Sequence, residues 1–216
     1  MATTTLYYSR GSYSWAPHML LEELGEPFEA RRVDATQGQN RTPEYLKLHP
    51  RGHVPVLVQG DFVLTETTAI LFHLADTHPG SRLSPAPGTH ARARAYEWCG
   101  FFSTAIHVAI RQAFRPERFT TDPAGHPGVV ASGLEALKRF YAEVETRLES
   151  SGGPYALGEQ RSVVDYFLPV FHRWGHRRSL DMTPYPVWQR HMDAMLARPF
   201  VQATMEREEI TPTGLK

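Results

Sequence analysis

Cysteine is almost missing from this sequence: Cys99 stands alone among 216 residues. A lone thiol excludes an internal disulfide and fits a reducing cytoplasm, the expected compartment. Excess charge of either sign is missing too. The 23 Lys and Arg balance 23 Asp and Glu, so nothing electrostatic points to nucleic acid or an anionic membrane as partner. No apolar run approaches the roughly 20 residues that a membrane helix needs. The opening, from Met1 through the threonines to Leu6-Tyr7-Tyr8, lacks a basic and apolar leader, so no secretory signal is expected. Internal repeats and low-complexity tracts are also lacking. What is present suits a packed fold: 41% of the residues are hydrophobic and 21% charged, a balance that favours a core over disorder.

The pattern changes character part-way along the chain. Leu6-Tyr7-Tyr8 reads as a strand, and Ser9 to Ser14 as a turn of small and polar residues. A helix is expected from Trp15, with Met19, Leu20, Leu21 and Leu24 on its apolar side and Gly25 as its stop. Phe28 to Val33 returns as a strand, and Thr42-Pro43-Glu44 opens a short helix. Two apolar runs then flank Gly60-Asp61, a pair suited to a tight hairpin. Pro55 interrupts the first run, where a central strand tolerates no proline. After the second run Thr65 is placed to cap a helix from Glu66 to Thr77. His78 to Thr89 holds too many prolines and glycines for a regular element, so a domain boundary is expected there. Beyond it the spacing is helical. One long helix is expected over Ala91 to Phe114, with Ala95, Trp98, Phe102, Ala105 and Ala109 inward. A loop follows from Pro116 to Pro127, then a helix through Leu134, Leu137, Tyr141, Val144 and Leu148, and further helices near Val163, Pro186 and Pro199. Ser162 and Asp165 form a capping box, a structural device. His172 and His176 have metal-ligand spacing. With Arg173, Arg177 and Arg178 beside them, they read instead as a solvated cationic helix end, and no metal is expected.

Three motifs carry a resemblance. His49-Pro50-Arg51-Gly52-His53-Val54-Pro55-Val56-Leu57 resembles N-P-x-G-x-V-P-x-L, with His49 for Asn. Leu64-Thr65-Glu66-Thr67-Thr68-Ala69-Ile70 resembles L-x-E-S-x-A-I, with Thr67 for Ser. Gly158 followed by Ser162-Val163-Val164-Asp165 resembles G-x-x-x-[ST]-x-A-D, with Val164 for Ala. In this order they resemble the cytosolic glutathione transferase family, and the opening through Ser14-Trp15-Ala16-Pro17-His18 is most similar to its bacterial beta class. The resemblance implies an α/β thioredoxin-like domain over 1–79 that binds glutathione. It also implies a linker over 80–89 and an all-α helical-bundle domain over 90–216 that shapes the electrophile pocket. A cytoplasmic homodimer in detoxification is implied as well, with glutathione as co-substrate and an apolar electrophilic small molecule as partner.

The implied glutathione contacts are His53, Val54 and Pro55, Glu66 and Thr67, with Gln37 reaching the glycyl end. A cis Val54-Pro55 bond would free the Val54 backbone to pair with the peptide-like ligand as an added strand. Thr67, at a helix N-terminus, suits a ligand carboxylate, and Glu66 suits its ammonium. The chemistry implied is activation of a thiol, whose ordinary pKa near 8.5 falls beside a suitable donor. The beta class commonly carries a cysteine where this chain has Tyr13, so mixed-disulfide chemistry at that position is excluded. The remaining candidates are Ser14, Tyr13 and Ser12, in that order, with Tyr7 behind them. Ser14 could equally serve as a helix cap. His107 and Arg111, four residues apart on one helix face, are expected in the electrophile pocket. A non-catalytic binding protein on the same fold, or a glutathione-dependent isomerase, dehalogenase or peroxidase, remains open alongside the transferase.

Overall fold

The structure is a computed structural model that describes residues 3–215. Two compact units emerge. One contains the chain up to Ser84 and again from Ala194 onward; the other is Pro85–Asp193. The division between Ser84 and Pro85 falls inside 80–89, and the stretch from Ala194 onward groups with the first unit instead of with the helices before it.

In the first unit, β1 (Thr4–Tyr8), β2 (Phe28–Arg32), β3 (Val56–Gln59) and β4 (Phe62–Thr65) form one sheet in the order β2-β1-β3-β4. β1 runs parallel to β2 and antiparallel to β3, and β3 pairs antiparallel with β4. This is the thioredoxin-like arrangement expected. The hairpin register pairs Gln59 with Phe62, and Gly60 takes the φ of 61° that the first position of such a two-residue loop favours. α1 (Trp15–Leu24) ends where Gly25 turns left-handed at φ 70°. Its residues Trp15, Met19 and Leu20 are wholly buried, as are Leu6 and Leu57 of the sheet and Ile70 and Leu71 of α3 (Thr67–Thr77). Each such side chain contributes about 1.5–3 kcal/mol. α2 (Pro43–Leu48) is capped by Thr42, whose hydroxyl accepts from the Tyr45 amide.

The C-terminal stretch joins this unit through polar as well as apolar contacts. Trp15 Nε1 donates to Thr204 Oγ1 at 2.9 Å on α9 (Pro199–Arg207). Glu208, wholly buried, accepts from the Gly11 amide at 2.7 Å and lies 2.7 Å from His18 Nδ1. Arg10 donates to the carbonyls of Glu208 and Glu209 at 2.8 and 2.7 Å. Sequence periodicity assigned this stretch to the helical domain because it sees helices, whereas a pairing of residues about 190 positions apart leaves no local trace.

The second unit is helical. α4 (His90–Phe101) and α5 (His107–Phe114) continue one another through a wide turn over Phe102–Ile106. There the His107 amide donates to the Phe102 carbonyl five residues back, a π-type bulge. The expected single helix therefore exists with a bulge in it, and Ile106, rather than Ala105, is fully buried. The expected loop after it contains two short turns, and α6 (His126–Glu149) begins at its end. α6 buries Leu137, Tyr141, Val144 and Leu148, and Tyr141 donates to the Phe171 carbonyl at 2.5 Å. α7 (Phe167–Arg177) follows the Ser162–Asp165 capping box. Asp165 also accepts from the Ala156 amide and contacts His191 Nε2, each at 2.9 Å; His191 lies on α8 (Pro186–Leu196). The solvated helix end expected at 172–178 is corrected. His172 and Arg173 are 2% and 0% exposed, because the helix is buried from Phe167 through Gly175; of the expected cationic end, only Arg177 is exposed.

Burial also sets an acid limit on this unit. It pushes the His172 pKa down to about 4, and His176 adds a smaller effect of the same sign. Below about 6.5 the unfolded chain therefore binds a proton that the fold refuses, so stability rises with pH across that window and falls as pH drops toward 4. The expected loss is roughly 3 kcal/mol, at 1.36 kcal/mol per pKa unit. Urea unfolding at pH 7 and pH 4.5 should show it, and His172→Phe should flatten the dependence; an unchanged slope in the variant would refute the assignment. Glu208→Ala should lower stability by about 3–5 kcal/mol, since the buried Gly11 amide and His18 ring both lose their partner. A loss under about 0.5 kcal/mol, an ordinary surface value, would contradict the role given to Glu208.

Candidate glutathione site

The first unit places most of the expected site residues just beyond the ends of its strands: Ser12 to Ser14 after β1, His53 to Pro55 before β3, and Glu66 and Thr67 after β4. The Val56–Thr65 pair is the last step of the β3–β4 ladder, so Pro55 and Glu66 leave the sheet side by side. Val54-Pro55 is cis. Pro55 is buried and Val54 half-buried, and the ladder begins only at Val56. The loop before it is tightly built. Gly52 has φ 63°, and a Cβ there would stand 2.4 Å from the Asn40 carbonyl oxygen, so glycine is required. Asn40 Nδ2 donates to the Gly52 carbonyl at 2.9 Å, and Tyr45 donates to the His53 carbonyl at 2.7 Å. His53 is half-buried with its ring 5.4 Å from that of His49. Burial and the neighbouring Arg51 charge hold the His49 pKa down.

Helix α3 starts one residue later than expected. Glu66, not Thr65, occupies the cap position, with φ 72° and ψ 117° and no capping bond from its side chain. A left-handed φ in a residue with a side chain costs about 1–3 kcal/mol and is found at ligand sites. The Glu66 side chain is exposed and ion-paired with Arg51, which draws the His49–Pro55 loop to the start of the helix. Thr67 is 3% exposed. Its Oγ1 is buried without a hydrogen-bond partner, an unusual state for a hydroxyl. It sits in the first turn of an 11-residue helix, whose N-terminal amides and dipole favour an anion.

The turn before α1 holds the candidate thiol-activating hydroxyls. Gly11 adopts φ 56° and is tied to Glu208; Ser9 Oγ donates to the Val33 carbonyl. Ser14 is wholly buried. Its Oγ accepts from the Ser9 amide at 3.1 Å, lies 3.3 Å from the Ser9 carbonyl and 2.7 Å from Ser12 Oγ. No capping bond forms from it, so the helix-cap alternative falls away. Ser12 and Tyr13 are half-buried. Tyr7 Oη accepts from Arg31 at 3.2 Å on the sheet, and burial with the Glu208 charge raises the pKa of Tyr8. Gln37, on a short turn over Ala35–Gln37, is exposed. His107 and Arg111 lie half-buried on α5 of the second unit. Arg51, Ser9 and Glu208 were not among the residues expected. Only the charge of Arg51 inside the proline motif offered a signal; the others act through distant backbone.

Among the described residues no group of His, Cys, Asp and Glu is arranged to hold a metal, and no helix is long and apolar enough to cross a membrane.

The chain is similar to known proteins over nearly its whole length. Residues 2–76 match the family model "Glutathione S-transferase, N-terminal domain". Glutathione S-transferase GST-4.5 of Xanthomonas campestris is 30% identical, with 94% of this chain and 98% of that protein covered. A crystal structure of a glutathione transferase homologue from Sulfitobacter, with bound glutathione, superposes with a TM-score of 0.89 at 31% identity, covering 96% of this chain and 99% of that one. The bacterial beta class enzyme of Sphingomonas chungbukensis gives a TM-score of 0.84 at 28% identity, over 96% and 100%. With its thioredoxin-like sheet, helical unit and near full-length likeness to such enzymes, the chain belongs to the cytosolic glutathione S-transferase family.

Proposed function

We propose that this enzyme joins the thiolate of glutathione to electrophilic small molecules, and that the Ser12–Ser14 hydroxyl pair supports the thiolate. The observation that carries the binding half is the unpartnered, buried Thr67 Oγ1 at the start of α3. The γ-glutamyl carboxylate accepts from the Thr67 hydroxyl and amide, with the helix dipole adding to the attraction. Glu66, held toward the loop by Arg51, receives the ammonium group. The cysteinyl backbone pairs in extended form with the Val54 backbone beside Pro55, where the ladder has ended. His53 and Gln37 serve the glycyl end. The Sulfitobacter homologue with bound glutathione supports glutathione as the ligand.

Burial reorders the catalytic candidates. The Ser14 hydroxyl, enclosed and bonded to the Ser9 backbone, orients its neighbour, and the half-buried Ser12 presents the outer O–H. Ser12 Oγ and Ser14 Oγ lie 2.7 Å apart, and with Ser14 as the donor in that contact the Ser12 proton is left for the sulfur. A charge-assisted hydrogen bond of this type is worth about 1.5–3 kcal/mol. The thiolate then attacks the electrophilic carbon, a carbon–sulfur bond forms, and the leaving group departs with its electron pair. His107 and Arg111 line the electrophile pocket, and the chain works as a homodimer.

Calorimetric titration with glutathione should show saturable binding in the millimolar range or below. Thr67→Val and Glu66→Gln should each weaken it roughly tenfold or more, the effect of losing a bond to a charged group. Absence of saturable binding in the folded protein would refute the glutathione reading. With an aryl halide as electrophile, Ser12→Ala and Ser14→Ala should each lower kcat/KM about 10- to 100-fold. The bound thiol should titrate upward toward about 8.5. Tyr13→Phe abolishing turnover while both serine variants keep it would overturn the hydroxyl assignment.

A further inference from the structure

The helical unit contains an arginine strip that the thiol chemistry leaves unused. On α5, His107, Arg111 and Phe114 follow at intervals of four and three residues and so share a face. On α7, Trp174 and the capping residue Arg178 are again four apart. The His107 and Trp174 rings lie 5.8 Å apart, and the Arg178 guanidinium sits 3.8 Å from the Phe114 ring centroid. Arg177 reaches the same ring at 6.0 Å. The two helices therefore meet along one strip in which His107, Arg111, Phe114 and Arg178 are half-buried and Trp174 is 8% exposed, with imidazole and indole at one end and the stacked arginine at the other.

Its charge is uncompensated. Arg111, Arg177 and Arg178 have no carboxylate partner among the described residues, and the nearby Glu117 is engaged by Arg115 at 2.5 Å. Arg178 Nε is buried without an acceptor. Burial, and then the charge of Arg177, lower the Arg178 pKa, as expected for a cation short of counter-charge. Stacking on Phe114 fixes the guanidinium plane and leaves its N–H edge free, the arrangement that receives a carboxylate in two parallel hydrogen bonds.

We propose that this strip binds the carboxylate of an acidic aromatic electrophile, with Arg178 and Arg111 taking the anion and Phe114 and Trp174 bordering the ring. The inference deepens the transferase reading and rests on His107 and Arg111 lining the electrophile pocket. The substrate class is an aryl halide or similar acceptor carrying a carboxylate. Sulfur–carbon bond formation expels halide while the carboxylate remains unreacted as the handle.

The test uses 4-chloro-3-nitrobenzoate and its uncharged analogue 4-chloro-3-nitrobenzamide, each titrated into the full chain by calorimetry. The wild type should bind the benzoate at least about tenfold more tightly than the amide, the worth of one charge-assisted contact. Arg178→Gln should bring that ratio close to one, and Arg111→Gln should reduce it, with circular dichroism confirming the fold. If a variant fails to fold, the wild-type ratio itself should fall as salt rises to about 0.5 M. Equal affinities in the wild type, or a ratio that survives both substitutions, would overturn the proposal. Glutathione conjugation of the two probes is followed separately: no turnover with a persisting ratio would count against the transferase reading and leave the anion site standing.

Discussion

A carboxylate buried in a protein interior must be met by donors or it destabilises the fold by several kcal/mol. Glu208 is such a group, wholly enclosed and met by the Gly11 amide and the His18 ring. Both partners come from the opposite end of the chain. The turn that holds Ser12 and Ser14 is thus fixed from outside the strand–helix unit to which it belongs in sequence. Arg10 repeats the logic, donating to two carbonyls of the same C-terminal segment. Trp15 adds a third anchor through Thr204. The geometry of the proposed thiol-activating hydroxyls depends on residues near the last helix.

The other half of the proposed site is organised by a different constraint. The sheet ladder ends at Val56–Thr65, and the chain leaves it through Pro55 on one side and the left-handed Glu66 on the other. That backbone places a helix N-terminus, an orphan hydroxyl at Thr67 and an exposed carboxylate at Glu66 within one short stretch. A zwitterionic ligand end with a carboxylate and an ammonium group complements such a pair. Packing tight enough to exclude a Cβ at Gly52 holds the neighbouring loop steady, which preorganisation rewards.

Much of this was legible in the sequence where the signal is local. The Gly60-Asp61 hairpin, the Gly25 stop, the Ser162–Asp165 capping box and the proline that keeps the third strand from starting before Val56 each act within a few residues. Errors arose where the cause is tertiary. Thr65 looked like a cap because it precedes a helical run, yet the ladder claims it as strand and passes the cap position to Glu66. Ser14 offered a helix cap as readily as a thiol-activating hydroxyl, yet its side chain turns to the Ser9 backbone and makes no cap bond. His172 and Arg173 looked solvated because their neighbours are charged, yet the helix is buried from Phe167 through Gly175. The C-terminal stretch looked like part of a bundle because helical spacing says nothing about which unit a helix completes.

The most direct test of the central claim is a crystal structure of this protein with glutathione bound. The account requires the γ-glutamyl carboxylate within about 3 Å of Thr67 Oγ1 and its amide, and the sulfur within hydrogen-bonding reach of the Ser12 hydroxyl. Glutathione bound with Thr67 Oγ1 still unpartnered, or with its sulfur beside Tyr13 and away from both serines, would contradict it.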